Sequence, residues 1–382
     1  MGRDRARRSG LERLWHGDAT RRGAIAALPL CVAAGMFRSA VAIRNLWWRR
    51  MARRAGIPVI SIGNLTVGGN AKTPFTLFLA ARLQGRGFNV AIVSRGYSGR
   101  ASKARAILVA DRGELKAAPE EAGDEPAMMA RRFTGPIAIA RRRLDAIEML
   151  SERYALDAII LDDGFQHTRL QRDVDLVLVG DRRGFGNRRM LPAGPMREPL
   201  SALKRADAVV VVSVGDNYPS GIRPQEMKQM LRHRVLNARV RARCLVQSEN
   251  GQWRESPAAL AGRRVIAVSG LADPSAFHAM VREIDGDLVG VLEYPDHHAY
   301  TAADWQEIAS AARDVDLVIT TEKDLIKLER FPFPRDSLYA LRLEVSLAEE
   351  DARALDGLIL PRLRGPEKSE SGPVQEVSGN AS

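Results

Sequence analysis

"GNLTVGGNAKTP", residues 63–74, is the stretch on which the reading of this chain turns. It ends like a phosphate-binding loop, G-x-x-x-x-G-K-[ST], with Lys72-Thr73 intact. Thr66 stands where the first glycine of that pattern belongs, and Ala71 where the last one does. The flanks supply the context. "PVISIG" (58–63) reads as a strand; beyond the loop Phe75, Phe78, Leu79 and Leu83 recur at helical spacing, and Gly85 and Gly87 can end that helix. Between a strand and a helix, backbone N–H groups at the helix start face an anion. Thr66, Val67, Gly68, Gly69, Asn70, Ala71, Lys72 and Thr73 are therefore the candidates for holding nucleotide phosphates, with Lys72 reaching the β- and γ-phosphates and Thr73 ligating Mg2+. If position 71 needs positive φ, alanine there costs roughly 1–2 kcal/mol; if its φ is helical, the cost is only the crowding of one methyl group.

Working outward, short apolar runs alternate with helical patterns: "NVAIVSRG", "RAILVA", "GPIAIA", "DAIILDD", "VDLVLVG" and "DAVVVVSVG". Continuous Val/Ile/Leu runs of this length read as strands buried on both faces. The pattern weakens over about 218–262, where "YPSGIRPQEM" and "SENGQWRESP" are loop signals, and resumes in "RRVIAVSG", "DLVGVLEY", "DLVITTEK" and "LYALRLEV". The expected fold class is α/β: a phosphate-loop NTPase-like parallel sheet wrapped by helices, a second smaller α/β domain, and an N-terminal membrane-surface helix. The expected units are a basic N-terminal segment at 1–54, a core at 55–225, a linker at 226–261, the smaller domain at 262–362 and a polar, disordered tail at 363–382.

Charge is distributed unevenly. The net charge is +12 over 382 residues, yet residues 1–54 hold thirteen Arg against three acidic residues and so account for +10 of it. A nucleic-acid enzyme would spread basic residues along the binding face of its folded domain and carry more aromatics than 5%. Here the arginines surround the apolar run "GAIAALPLCVAAGMF" (23–37), which is shorter than the 20 or so residues a spanning helix needs. Trp47, Trp48, Arg49 and Arg50 then suit a headgroup layer. Residues 20–54 read as one or two helices lying on an anionic membrane surface, the alternative being a basic helix packed on the enzyme's own core. Cys31 and Cys244 fit neither a disulfide framework nor a metal site and point to a reducing compartment.

"AIILDDGFQH" (158–167) is a buried strand ending in Asp162 and Asp163. Adjacent carboxylates repel unless a cation sits at them, and Mg2+ held by a strand-end Asp does this in phosphate-loop enzymes. The alternative is an Asp-Asp-Gly surface turn, but the phosphate loop about 90 residues upstream favours Asp162 and Asp163 as Mg2+ ligands.

Together with "ISIGNLTVGGNAKTP", "VSRGY", "EEAGDEPAMMARR", "RDVDLVLV", "RGFGN", "LPAGPMREPLSALKRADAVVV", "VSGLADPSAF", "YPDHHAYTAAD" and "TTEKDLIKL", in that family's order from about 57 to 330, the chain resembles the tetraacyldisaccharide 4'-kinases, lipid A pathway enzymes of the bacterial inner membrane. The resemblance implies a phosphate-loop kinase core and an N-terminal helix on the cytoplasmic face of that membrane, bound peripherally. It implies transfer of the γ-phosphoryl of ATP, with Mg2+, to the 4'-hydroxyl of a tetraacylated glucosamine disaccharide 1-phosphate. It carries the family's catalytic pair onto Asp124, in the G-D-E-P motif, and His297, in the P-D-H motif, beside Lys72. Read without it, Asp124 is equally a helix N-cap and His297 a structural histidine in a Pro-Asp turn. Ala71 stands where the family has glycine. The arginines of "DRRGFGNRRMLPAGPMREP" (181–199), namely Arg182, Arg183, Arg188, Arg189 and Arg197, are candidates for a substrate phosphate or for transition-state charge. "TTEKD" (320–324) carries no assigned role. No obligate protein partner is evident. A GTPase lacks its N-K-x-D here, and a non-catalytic membrane scaffold would not be expected to keep Lys72, Thr73, Asp124, Asp162, Asp163 and His297.

Overall fold

The computed structural model describes Trp15 and residues 28–68, 71–96, 106–215, 234–249, 251–256, 260–334 and 336–363. Gly69 and Asn70 of the loop, most of residues 1–27 and the tail beyond Leu363 lie outside the described residues.

The apolar runs form the strands β1 (Val59–Gly63), β2 (Val90–Ser94), β3 (Ile107–Asp111), β4 (Glu114–Leu115), β5 (Ile137–Ile139), β6 (Ala158–Asp162), β7 (Val174–Gly180) and β8 (Ala208–Val214) of the first half. In the second half they form β11 (Arg264–Ser269), β12 (Asp287–Glu293), β13 (Leu317–Thr321) and β14 (Leu338–Leu347). Between them lie β9 (Arg234–Glu249) and β10 (Gln252–Ser256). The helices are α1 (Leu28–Arg50), α2 (Lys72–Gln84), α3 (Pro119–Ala122), α4 (Asp124–Ala130), α5 (Arg143–Ser151), α6 (Ser275–Glu283), α7 (Ala302–Ala311), α8 (Glu322–Leu328) and α9 (Glu349–Leu363).

All described strands belong to one sheet of fourteen, ordered β12-β11-β13-β14-β9-β8-β7-β1-β6-β2-β5-β3-β4, with β10 paired on β9. β1 lies centrally, parallel to β6 and β7, and every residue of it is buried. Its register sets Ile62 opposite Asp162, so the loop after β1 and the Asp162-Asp163 pair leave the same sheet edge side by side. This is the carboxyl edge, where open α/β sheets bind ligands. The exceptions to the parallel pattern are β3, β4, β10 and the β9–β14 pair, all antiparallel.

The span expected as a linker contributes two strands. β9 carries Arg239, Arg241 and Arg243 outward while Ala238, Val240 and Leu245 point into the core, an alternation that reads as polar when averaged along the chain. β9 pairs parallel with β8 of the first half and antiparallel with β14 of the second. A single core cluster therefore crosses the seam, from Ile60 and Phe75 to Leu236, Val345, Leu355 and Ile359. α9 returns to the first half, where Asp356 accepts from Arg82 Nε and Nη2, each at 2.8 Å, and also binds Arg86.

The described part of the N-terminal apolar segment is one helix, where one or two were expected over 20–54. Pro29 falls in its first turn, where a missing N–H costs nothing. Ala34, Val41 and Asn45 face the protein, and Val41 joins the cluster of Leu65, Phe165, Ala202 and Leu203. Trp48 lies between the Arg44 and Arg169 guanidinium groups, at 5.0 and 4.5 Å from its ring. The opposite face leaves Leu28, Val32, Met36, Ile43 and Trp47 in solvent. No helix among the described residues is long and apolar enough to cross a membrane.

Candidate active site

The glycine loop does stand between β1 and α2. Its first half is pinned from outside: the Val67 N–H donates to the Pro195 carbonyl at 2.8 Å, the Arg197 N–H donates to the Leu65 carbonyl at 2.7 Å, and Thr66 bridges Met196. The Val67 N–H is thus engaged away from any phosphate in this structure. Gly68 turns the chain with φ 108°. Ala71 is the N-cap of α2 with φ 51° and ψ 34°, squarely left-handed. The open question about position 71 therefore resolves to the strained case, worth roughly 1–2 kcal/mol.

Lys72 opens α2 and points its ammonium back into the loop, 2.8 Å from Asp163 Oδ1 and 3.2 Å from Asn64 Oδ1. Asp163 also accepts from Arg197 at 3.1 Å. Burial alone would push the Asp163 carboxyl up, but Lys72 and Arg197 outweigh it and hold the group below the usual carboxylate range. Its neighbour differs. Asp162 is 2% exposed and accepts a hydrogen bond from Thr76 at 3.2 Å. Burial first, then the charge of Glu125, pushes it up to about 7, with Lys72 pulling the other way. Two adjacent carboxylates thus sit in opposite states: Asp163 is neutralised by two cations, while Asp162 is buried beside one hydroxyl.

That imbalance suits a hard divalent cation. Among the described residues no cation pairs with Asp162, and Thr73, one residue into α2, could add a hydroxyl to a phosphate-loop Mg2+ site. No group of three or more His, Cys, Asp or Glu side chains able to hold a metal occurs among the described residues, so phosphate oxygens and water would complete the shell, as is usual for Mg2+.

Asp124 and His297 meet across the seam. Asp124 is the first residue of α4; Gly123, with φ 87°, occupies the cap position, so Asp124 is not the N-cap it could have been. Its Oδ2 lies 3.5 Å from His297 Nδ1 and 3.3 Å from Lys327 Nζ. Burial would raise its pKa, but the His297 hydrogen bond and the Lys327 and Lys323 charges hold it below the ordinary value. His297 sits at φ 59°, a conformation that costs most residues but that His tolerates better. Its turn is built by its neighbour. His298 stacks on Tyr294 at 4.9 Å, and its Nε2 lies 3.0 Å from Asp304 Oδ2. His298 is therefore a structural residue.

Of the candidate arginines, Arg197 reaches the loop. Arg182 and Arg183 pair with Asp273 at 3.0 and 2.8 Å, and Arg189 lies 3.1 Å from Cys31 Sγ of α1. Sequence reasoning passed over Asn64, Thr76 and Lys327. Thr76 follows Thr73 by three residues on α2 and had a signal in that spacing. Lys327 lay in the quoted "TTEKDLIKL" and had none beyond it.

The family model of the tetraacyldisaccharide-1-P 4'-kinases matches residues 26–363. A tetraacyldisaccharide 4'-kinase of Anaeromyxobacter dehalogenans (strain 2CP-C) is 41% identical over 331 residues, covering 84% of this chain and 86% of that protein. One from Anaeromyxobacter sp. (strain Fw109-5) is 36% identical and covers 95% of this chain and 99% of its own length. A crystal structure of LpxK from Aquifex aeolicus in complex with ATP superposes with a TM-score of 0.69 at 30% identity, covering 89% of this chain and 99% of that one.

Two outcomes follow from the loop. Asp162→Asn keeps an oxygen for Thr76 and cannot ionise. A carboxylate raised to about 7 supports folding while protonated, below the unfolded value near 4, and loses that support as pH rises through 7. The variant should therefore melt increasingly above wild type, both without nucleotide, between pH 5 and pH 8, while phosphoryl transfer falls at least about 100-fold. A melting gap that does not widen with pH contradicts the assignment. Ala71→Gly relieves the left-handed strain and should leave ATP affinity or kcat equal, or raise either by up to about 30-fold. A tenfold loss would show that the methyl group, which packs on the main core cluster, shapes the loop.

Proposed function

The chain belongs to the tetraacyldisaccharide-1-P 4'-kinase family, and from that premise we propose that Asp124 and His297 take the proton of the acceptor hydroxyl while Lys72 and the loop after β1 hold ATP. The enzyme is an ATP-dependent phosphotransferase of lipid A biosynthesis, and its acceptor is a lipid disaccharide. The contact between Asp124 Oδ2 and His297 Nδ1, formed by two residues from opposite halves of the sheet, carries the assignment of the pair.

The acceptor's 4'-hydroxyl oxygen attacks the γ-phosphorus, the bond from that phosphorus to the β–γ bridging oxygen breaks, and ADP leaves with the electron pair. The hydroxyl proton goes to His297 Nε2. Asp124, ionised, accepts the Nδ1–H and so keeps Nε2 as the free acceptor; it then stabilises the imidazolium that forms. Lys72 offsets charge on the transferred group and Arg197 stands beside it on Asp163. Thr73 and Asp162 are the residues proposed to hold Mg2+, which when bound screens the phosphate oxygens. Asp163, engaged by two cations, holds Lys72 toward the loop.

The lipid acceptor reaches the enzyme at a bilayer. α1 is proposed to lie on the cytoplasmic face of the inner membrane, peripherally, with its outer face in the interface. The support is physical. Met36 at 71%, Ile43 at 70% and Trp47 at 60% exposure share that face with Leu28 and Val32, and Arg38, Arg49 and Arg50 lie on the same helix. Such a mix of apolar stripe, tryptophan and arginine suits an anionic interface.

With labelled ATP, Mg2+ and tetraacyldisaccharide 1-phosphate, wild type should transfer label and Lys72→Ala should not. Asp124→Ala and His297→Ala should each lower kcat by about 100-fold or more, and the double variant should fall within about threefold of the worse single one. Additive losses would mean separate roles; wild-type rates in both would remove the pair from the site. For the membrane, the Met36→Gln, Ile43→Gln, Trp47→Gln triple variant should sediment with anionic vesicles about 100-fold less tightly, on the order of 3 kcal/mol of lost apolar burial. Undiminished sedimentation would put the anchor elsewhere.

A further inference from the structure

Every polar side chain of "TTEKDLIKL" (320–328) is committed to a partner. The Thr320 hydroxyl donates to the Val268 carbonyl at 2.8 Å. Thr321 caps α8, accepting from the Asp324 N–H at 3.1 Å. Glu322 binds Arg132 of the first half and Arg342 of β14, each at 3.0 Å. Lys323 holds Asp296, the residue before His297, at 2.8 Å. The motif thus ties α8 to the turn that carries His297 and to the end of α4.

Lys327 lies at the centre of this arrangement. Its ammonium is 3.3 Å from Asp124 Oδ2 and 3.2 Å from Asp324 Oδ1, and it donates to the His298 carbonyl at 3.0 Å. One hydrogen bond, to the His298 carbonyl, and two ion pairs, to Asp124 and Asp324, converge on this ammonium. Asp324 is 0% exposed, and its other oxygen accepts from the Gly270 N–H at 2.9 Å and the Thr321 hydroxyl at 2.8 Å. A carboxylate this deeply buried needs a cation against its free oxygen, so Asp324 fixes where the Lys327 head can be. From there the ammonium touches the same Asp124 oxygen as His297 and also the backbone carbonyl that follows His297.

We propose that Lys327 is the positioning residue of the Asp124–His297 pair: anchored on Asp324, its ammonium keeps Asp124 ionised as an acceptor and fixes the turn that presents His297. The inference rests on the reading of Asp124 and His297 as the working pair. A protonated Asp124 would offer His297 a donor instead of an acceptor and would favour the wrong imidazole tautomer. Burial pushes Asp124 toward that state, and His297, Lys327 and Lys323 oppose it. The other charged groups on elements packed against α4 are Glu120 and Glu121 of α3, Lys72 and Arg82 of α2, Asp111 of β3, Glu114 of β4, and Lys323, Asp324 and Glu322 of α8, the last already paired with Arg132 and Arg342, with Glu125 on α4 itself. Among the described residues, the ion pairs to Asp124 are those of His297 and Lys327.

The test compares wild type, Lys327→Met, Lys327→Arg, the double variant Asp324→Asn with Lys327→Met, and Asp124→Ala. All are the full chain with ATP and tetraacyldisaccharide 1-phosphate, and the readouts are kcat, the ATP KM and the pH profile of kcat. Lys327→Met should lower kcat by about 10- to 100-fold with the ATP KM within about threefold. Losing a positive charge beside the pair favours its protonation, so the acid limb should move up by about one pH unit. Lys327→Arg keeps the charge and should keep the limb where wild type has it. The double variant removes both buried charges, so it gives the reading even if Asp324 left unpaired unfolds the single variant, and it should show the same displaced limb. Wild-type kcat and limb in Lys327→Met overturn the inference. So does a limb in Lys327→Arg displaced as far as in Lys327→Met, or a loss confined to the ATP KM with the limb unmoved. Wild-type rates in Asp124→Ala would bring down the pair itself; a loss there without one in Lys327→Met would bring down the role of Lys327 alone.

Discussion

Asp124 and His297 are far apart in the chain, and the antiparallel ladder between β9 and β14 is what makes them neighbours. β9 belongs by its parallel pairing with β8 to the half of the sheet that carries the glycine loop, and β14 belongs by its pairing with β13 to the half that carries the His297 turn. Once those strands zip together, α8 must pack against α4, and the core cluster runs through both halves without a break. The site is then the place where the carboxyl edge of one half meets a turn and a helix of the other.

Charge at that edge is arranged in compensated groups. Asp163 has Lys72 and Arg197, Glu322 has Arg132 and Arg342, and Asp324 has Lys327. Each of these carboxylates is largely removed from water, and each would destabilise the fold if its cation were removed. Asp162 is the exception in the loop, buried and raised to about 7 beside the Thr76 hydroxyl. The Mg2+ proposed to bind there would arrive with the substrate, and its binding would repay the cost of ionising that carboxyl. Backbone strain collects in the same region: Ala71, Asp163 and His297 all have positive φ, on three separate segments that converge on the site.

Strand identity was legible in the sequence because a strand covered on both faces is a near-continuous apolar run, as in β1, β6, β7 and β8. β9 was not, for the converse reason. Its outer positions carry Arg239, Arg241 and Arg243, so its average polarity is that of a loop although its buried positions are Ala238, Val240 and Leu245. A period of two in a strand with one wet face disappears into the surrounding polar sequence unless the alternation itself is sought. The same limit hid Lys327, whose motif could be quoted but whose partners lie on α4 and in the turn after His297.

The sequence by itself determined the strand–loop–helix unit around Lys72, the two carboxylates at the end of β6 and the amphiphilic N-terminal helix, because each is a matter of neighbours within one or two turns of chain. It also named Asp124 and His297, through the resemblance of the motifs that hold them. Only the tertiary structure decided that Ala71 is left-handed, that Asp162 and Asp163 are held in different states, and that one ammonium joins Asp324, Asp124 and the His298 carbonyl. Backbone angle, desolvation and the approach of distant charges depend on how the halves are packed, and a linear order of residues carries no distance between them.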